Sequence, residues 1–378
     1  MKRLGLGLTV IAAIALLGSA PVLGANKIKL GYLLPLSGGG AEYGQRQLRG
    51  ATLALEEVNA QEAQTGFGIE MTTADTKCVP LEGSNAAERL AERDRVSIMV
   101  GGSCSPEAIA ALRVTRRLEM PHVVPTAAAV SITEEGNPYV FRTIPHNHHL
   151  AEQLADTIAD KLKLKRIATV YLNDDFGIDL NTAVTKRLAA KGVQIVAQEG
   201  VERTTMDFFS IVAKLKPLNP QAVIAPVFNK PAAQLARTMR EQGMAAPLMD
   251  TVMFTAEFHD LAGPAAHGTV QNLFFHHTTR NPQGKTFAER FKTKYNDFPG
   301  NFEAEAYDAI WVIADALKRS GAGKSGFDKN AFLRAMRETK AFPGVMGPVT
   351  FDAKGQVLPA EGKITVIHNK DGKVEVME

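Results

Sequence analysis

The chain is predicted to be an α/β protein folded as two doubly wound lobes. Three observations predict this. Strand-like and helix-like segments alternate along almost the whole length, the alternation falls into two sets, and 378 residues exceed what one hydrophobic core usually serves. In the first set, residues 28–34 read as a buried strand. Residues 45–59 follow with helical spacing, Leu48, Ala51, Leu55 and Val58 lying on one side. Residues 69–74 read as a strand, 85–94 as a helix, 96–100 as a strand, 106–118 as a helix with Pro106 in its first turn, and 122–124 as a short strand. This is the βαβ rhythm of a parallel sheet with helices on both faces.

The second set repeats the rhythm. Residues 149–162 are helical, 167–171 a strand, 180–190 helical, 193–198 a strand, 208–215 helical, 222–227 a strand, and 231–242 helical. Strands at 247–250 and 269–274 come next, then helices at 286–295, 304–320 and 330–339. Strands at 349–351, 363–368 and 374–376 complete the pattern. The first crossover between lobes is expected at 142–149, with later ones near 276–279 and 352–355. Residues 26–145 with 277–352 form lobe one, and 146–276 with 353–378 form lobe two. In open α/β sheets ligands sit beyond the carboxyl ends of the strands, which places a site in the cleft between lobes.

Residues 1–25 have the features of a removable export signal. Lys2 and Arg3 precede an apolar run at 4–17, and small residues at 18–25 suit cleavage after Gly24 or Ala25. Cleavage lowers the formal net charge from +3 to +1, because the segment holds those two cations and no acid. A near-neutral balance gives no electrostatic case for nucleic acid, and no run of like charges marks a membrane-surface patch. Cys78 and Cys104 are the only cysteines. In an oxidising compartment they would close a loop of about 25 residues, worth on the order of 3 kcal/mol in the chain-entropy model. Two buried free thiols are the alternative.

The turn 101–106, Gly-Gly-Ser-Cys-Ser-Pro, joins a strand to a helix. With Ser105 as N-cap, backbone N–H groups and the positive helix end would face the cleft and suit a carboxylate. Ser103 and Ser105 are its candidate binding residues. The stretch 125–129 also follows a strand, and its small residues let a ligand approach Thr126 and Ala128, although these residues alone favour a tight-packing turn, and the Ser105 turn is explained equally by a plain helix cap. Residues 37–44 lack the G-x-G-x-x-G spacing, and no Walker A pattern occurs, so nucleotide cofactors have no support. His146, His148, His149, His276 and His277 fall on expected crossovers without H-E-x-x-H spacing, so no metal is assigned. No catalytic residue is assigned either, although Cys104 as a nucleophile stays open if its thiol is free.

The chain resembles the periplasmic leucine/isoleucine/valine-binding protein family, the type I solute receptors of ABC importers. The marks are 28–31 leading to 35–38 (Pro-Leu-Ser-Gly), 41–44 (Ala-Glu-Tyr-Gly) with Gly50-Ala51, the Cys78/Cys104 pair, Phe141-Arg142, Phe176-Gly177, 307–309 (Tyr-Asp-Ala), and 347–352 (Gly-Pro-Val-Thr-Phe-Asp) with Gly355. Their order and spacing span the mature chain. The resemblance implies two Rossmann-like lobes joined by three crossovers, a periplasmic location, a monomer without cofactor, and permease and ATPase partners. It also implies a site. Ser105 holds the ligand carboxylate, the Thr126 carbonyl faces an ammonium, Ala128 stands where threonine or serine is common, Tyr43 and Phe302 line the side-chain pocket, and Phe176 and Phe228 replace tyrosines.

One departure decides the expected ligand. Amino-acid binders of the family place an acid after the strand at 247–250, and the nearest residue here is Val252. Asp250, two residues earlier, is on the same side by strand alternation. Without an acid, a buried ammonium would be unpaired, at a cost on the order of 3–5 kcal/mol. The expected ligand is therefore a carboxylic acid without an α-amine, aromatic or otherwise apolar. A branched-chain amino acid is the alternative if Asp250 substitutes. An exported hydrolase using Cys104 or Ser105, and a sensor subunit with the same lobes, are the competing functions.

Overall fold

The computed structural model describes residues 26–359, 365–370 and 373–376, and the predicted export segment lies outside them. Five parallel strands form the first sheet: β1 (Asn26–Leu34), β2 (Phe67–Asp75), β3 (Ile98–Gly101), β4 (His122–Val124) and β5 (Val140–Arg142), in the order β2-β1-β3-β4-β5. Helices cover both faces, which is why β1 is apolar without a break from Leu30 to Leu34, all five residues buried, with Ile28 buried before them.

The second sheet repeats this plan with β6 (Arg166–Leu172), β7 (Gln194–Val201), β8 (Ala222–Ile224), β9 (Leu248–Thr251) and β10 (Val270–Leu273), in the parallel order β7-β6-β8-β9-β10. A separate hairpin of β11 (Phe342–Gly344) and β12 (Gly347–Val349) follows. The antiparallel pair β13 (Thr365–Lys370) and β14 (Lys373–Val376) then extends the second sheet at β10. Both orders reverse direction at one point, between β1 and β3 and between β6 and β8. The crevice beyond the carboxyl ends at such a reversal is where α/β sheets hold ligands.

The chain passes from β5 to the Asn147–Asp156 helix, which packs on the Asp175–Ala190 helix of the second lobe. It returns after β10, and the Asn301–Arg319 helix then packs along the Ala41–Asn59 helix of the first lobe. These two helices touch at Gly50, where a Cβ would sit 2.1 Å from the Glu303 carbonyl oxygen. Gln356 still bridges Arg142, and Val357 bridges Phe351, so the third passage begins after Val357, beyond the expected 352–355.

Three other elements depart from expectation. β5 was not expected, and its last residue falls in the segment assigned to the first crossover, because the strand is three residues long and ends in an arginine. Arg142 is nonetheless fully buried, donating to Gln356 Oε1 (2.6 Å), Ala129 O (2.5 Å) and Thr133 Oγ1 (3.0 Å). The helix expected over 85–94 begins at Pro80, whose fixed φ suits a first turn. The strand expected at 349–351 ends at Val349 in β12.

Candidate functional site

β3 ends at Gly101, whose φ of +105° and approach to Leu33, 2.2 Å from carbonyl oxygen to an ideal Cβ, both require glycine. The buried Glu107 organises the turn that follows, its Oε1 accepting from the N–H groups of Ser103 (2.7 Å) and Cys104 (3.0 Å). Cys104 is thus the N-cap and Ser105 the first residue of the Ser105–Arg117 helix, correcting the assignment of Ser105 as cap. Two of the turn's N–H donors are used by Glu107. Ser105 Oγ accepts from Ala129 N–H at 3.1 Å, which leaves its own O–H as a donor beside the positive helix end.

Cys104 is joined to Cys78 by a disulfide with a Cα–Cα distance of 5.4 Å, and this fastens the turn to the segment after β2. The thiol nucleophile considered above is therefore removed, and the hydrogen bond of Ser105 Oγ is to an amide donor rather than to a base. Among the described residues, the grouping of ligand-type atoms is Cys78, Cys104 and Glu107, and its two sulfurs form that disulfide.

Loops from both sheet reversals meet around a cavity of about 530 Å³, counted to its open mouth. Its wall contains Tyr43, Ser103, Ser105, Thr126, Ala128, Phe176, Phe228, Val252 and Phe302, so nine of the ten expected ligand residues surround one space. Tyr43 packs between Phe228 (ring centroids 5.5 Å apart) and Phe302 (4.7 Å). Ser103 Oγ exchanges hydrogen bonds with Gln47, at 2.8 and 3.1 Å, so that hydroxyl is used within the wall. The expected crossover histidines stand outside it. His146 Nδ1 accepts from His148 N–H at the start of its helix, and His148 Nε2 lies 3.1 Å from Asp179 Oδ1.

Asp250 is the tenth candidate, and it does not reach the cavity. The alternation that placed it beside Val252 fails because β9 stops at Thr251, and Val252 adopts φ +58°, a left-handed conformation unusual for a β-branched residue. Asp250 Oδ2 instead accepts from the N–H groups of Met253 and Phe254, both at 2.9 Å, and from Gln271 Nε2 at 3.1 Å. It shapes the loop that presents Val252 and Met253. Complete burial pushes its carboxyl up to about 7, against the pull of those donors.

Five further wall residues bear on the site's chemistry: Leu172, Met253 and Pro106, which are apolar, and Asp174 and Glu305, which are acids. Asp174 is satisfied: its Oδ1 accepts from Phe176 and Gly177 N–H (both 3.0 Å), and Arg203 Nε donates to its Oδ2 (2.9 Å). Glu305 is fully buried, and burial holds its carboxyl well above the usual carboxylate range. The sequence signal for it is helical spacing, because Glu305 lies three positions after Phe302 and shares its helix face.

The lobes are closed on each other. Tyr43 Oη accepts from Asn229 N–H (3.1 Å), Thr255 Oγ1 donates to Glu42 Oε1 (2.7 Å), Asn229 Nδ2 donates to Glu42, and Arg203 donates to the Cys78 carbonyl. Val130 N–H donates to Asp179 Oδ2 at 3.0 Å near the crossover side.

The profile of the family described as periplasmic binding protein matches residues 27–373. The leucine-, isoleucine-, valine-, threonine-, and alanine-binding protein of Pseudomonas aeruginosa is 27% identical over 370 residues, covering 97% of this chain and 96% of that one. The branched-chain amino acid transporter substrate-binding protein LivJ of Streptococcus pneumoniae, solved with isoleucine, is 25% identical with a TM-score of 0.84, covering 93% of this chain and 99% of that one. An ABC transporter solute-binding protein from R. palustris, solved with benzoate, shares the fold at 23% identity and a TM-score of 0.84, covering 93% and 95%. With five parallel strands in each of two sheets closing on one cavity and a family match over nearly its whole length, the chain belongs to the periplasmic binding protein family.

Proposed function

We propose that this protein is the exported solute-binding component of an ABC importer, and that its cleft closes on a small aromatic or otherwise apolar carboxylic acid lacking an α-amine. The observation that carries this reading is the cavity wall. Tyr43, Phe176, Phe228 and Phe302 supply four rings, and the apolar Val252 lines the wall as the residue nearest to the acid that the family resemblance implies for amino-acid binders. Ser105, at the start of its helix, is the carboxylate-binding residue. The benzoate-bound relative supports an acid of this kind in the same fold.

Transport follows from a population shift. The open and closed forms interconvert, and the ligand favours the closed one through contacts made only there. The closed pair of lobes then docks on a membrane permease, with ATP hydrolysed by a separate subunit. A branched-chain amino acid is the second reading. The buried carboxyl of Glu305 favours it, as do the ligands of the amino-acid-binding relatives.

A thermal-shift panel on the mature protein separates the two. A ligand at 100 times its Kd stabilises the folded form by about 2.7 kcal/mol, enough for a shift of a few degrees. Benzoates and phenylpropenoates are expected to shift the midpoint, and leucine is expected to leave it in place. A shift with leucine alone would overturn the proposal.

A further inference from the structure

The Asn301–Arg319 helix carries three buried acids, and two of them are fully used by the fold. Glu303 Oε1 receives Arg46 (2.9 Å) and Arg49 (3.4 Å), while its Oε2 accepts Gly300 N–H (3.0 Å) at the helix start. Asp308 accepts Val345 N–H (2.7 Å) and Met346 N–H (3.1 Å), which fixes the turn between β11 and β12. Glu305 is different. Its Oε1 accepts from Asn301 Nδ2 (2.5 Å), but its Oε2 is buried in the cavity wall with no hydrogen-bond partner. Thr126 Oγ1, on the same wall, is also buried and without a partner of ordinary geometry, although it is near enough to Glu305 to lower the carboxyl's proton affinity.

Glu305 Oε2 and Thr126 Oγ1 have at best each other, without a bond of ordinary geometry, and a poorly paired buried couple destabilises the closed form, so its place on the cavity wall points to completion by something bound there. We infer that Glu305 and Thr126 form a second polar pole of the cavity, which reads a hydroxyl substituent on the acid whose carboxylate is held at Ser105. The ligand class is thereby narrowed to hydroxylated carboxylic acids, an inference that rests on the proposed function. A hydroxyl has one proton to donate and lone pairs to accept, and it can pair with both Glu305 Oε2 and Thr126 Oγ1 at once. Burial raises the Glu305 carboxyl above its usual range, which weakens the repulsion that it would exert on the ligand carboxylate. The rest of the wall offers the ring aromatic and aliphatic surface.

The test is calorimetry of the mature protein with benzoate, its three monohydroxylated isomers and leucine, repeated on E305Q, E305L and T126V. Wild type is expected to bind one hydroxylated isomer at least ~10-fold more tightly than benzoate, since a site built to bond a hydroxyl rejects the analogue lacking it. In E305L and T126V that preference collapses while benzoate is retained. E305Q, which keeps a donor and an acceptor, preserves most of it. A preference unchanged in both E305L and T126V, or no isomer bound better than benzoate, overturns the inference while leaving the proposed function intact. Tight leucine binding lost in E305Q, with no benzoate bound by wild type, overturns both. E305L also removes the acceptor of Asn301 Nδ2, so the folding control is E305Q, which can keep that acceptor: its unliganded melting midpoint is expected to match that of wild type, which separates a recognition effect from misfolding.

Discussion

Closure of the cleft depends on contacts between lobes that an open form cannot make, and Tyr43→Phe isolates one of them. Asn229 opens the Asn229–Glu241 helix, so its N–H has no carbonyl within the helix to bond. In the closed form that N–H is buried and donates to Tyr43 Oη at 3.1 Å, whereas in an open form water would take the acceptor's place. Phenylalanine keeps the ring between Phe228 and Phe302 and removes only the acceptor. An unsatisfied buried donor costs about 1–3 kcal/mol, charged here only to the closed state, so the ligand Kd is expected to rise about 5- to 150-fold. The ratio should be similar for acids of different size, because the lost bond is between lobes. Calorimetry measures it, and a thermal melt without ligand should move little. An unchanged Kd for every ligand, or an unliganded midpoint that falls as much as the liganded one, would refute the idea that this bond belongs to closure.

Other consequences are equally direct. Val252→Glu supplies a carboxyl at the cavity wall and is expected to raise leucine affinity by roughly two to three orders of magnitude while weakening benzoate-type acids, since the buried ammonium then has a partner; titrating both ligands into the variant checks the exchange. Replacing Cys78 and Cys104 together by serine opens a loop whose ends are 26 positions apart. A loss of about 3 kcal/mol, seen as a midpoint a few degrees lower by calorimetric scan, is expected. Burial and the facing carboxylate of Glu42 raise the Glu257 carboxyl above its usual range, with Asn229 and Lys230 opposing the rise and Arg46 bound to Glu42. The closed form therefore binds this proton more tightly than an open form does. Affinity is expected to be full below the usual glutamate range and to fall as pH rises through the raised value, and Glu257→Gln should flatten that profile.

The repeated βαβ order was readable because parallel strands covered on both faces must be apolar almost throughout, as β8 and residues Leu30 to Leu34 of β1 are. The site was readable where its residues follow strands directly, as Ser103 and Ser105 follow β3 and Phe176 follows β6. What escaped was set by local geometry. Asp250 was misplaced because strand parity ends where Val252 turns left-handed. The helix cap moved from Ser105 to Cys104 because Glu107, buried three residues into the chain from that cap, reaches back for two N–H groups. β5 was hidden by the polarity of Arg142, whose burial is explained only by acceptors distant in sequence, such as Gln356. Glu305 was hidden in an acidic helix whose other acids have structural partners, and nothing local tells the three apart.

The central claim is that the cleft takes a carboxylate without an α-amine. Calorimetry with ligand pairs sharing one carbon skeleton tests it most directly: 3-phenylpropanoate against phenylalanine, and 4-methylpentanoate against leucine. The account predicts that the deaminated member binds more tightly by about 100-fold or more, because at Val252 the wall offers an ammonium no charge. Tighter binding of phenylalanine or leucine than of its deaminated partner would contradict it, and would make Glu305 the acid that replaces the missing one.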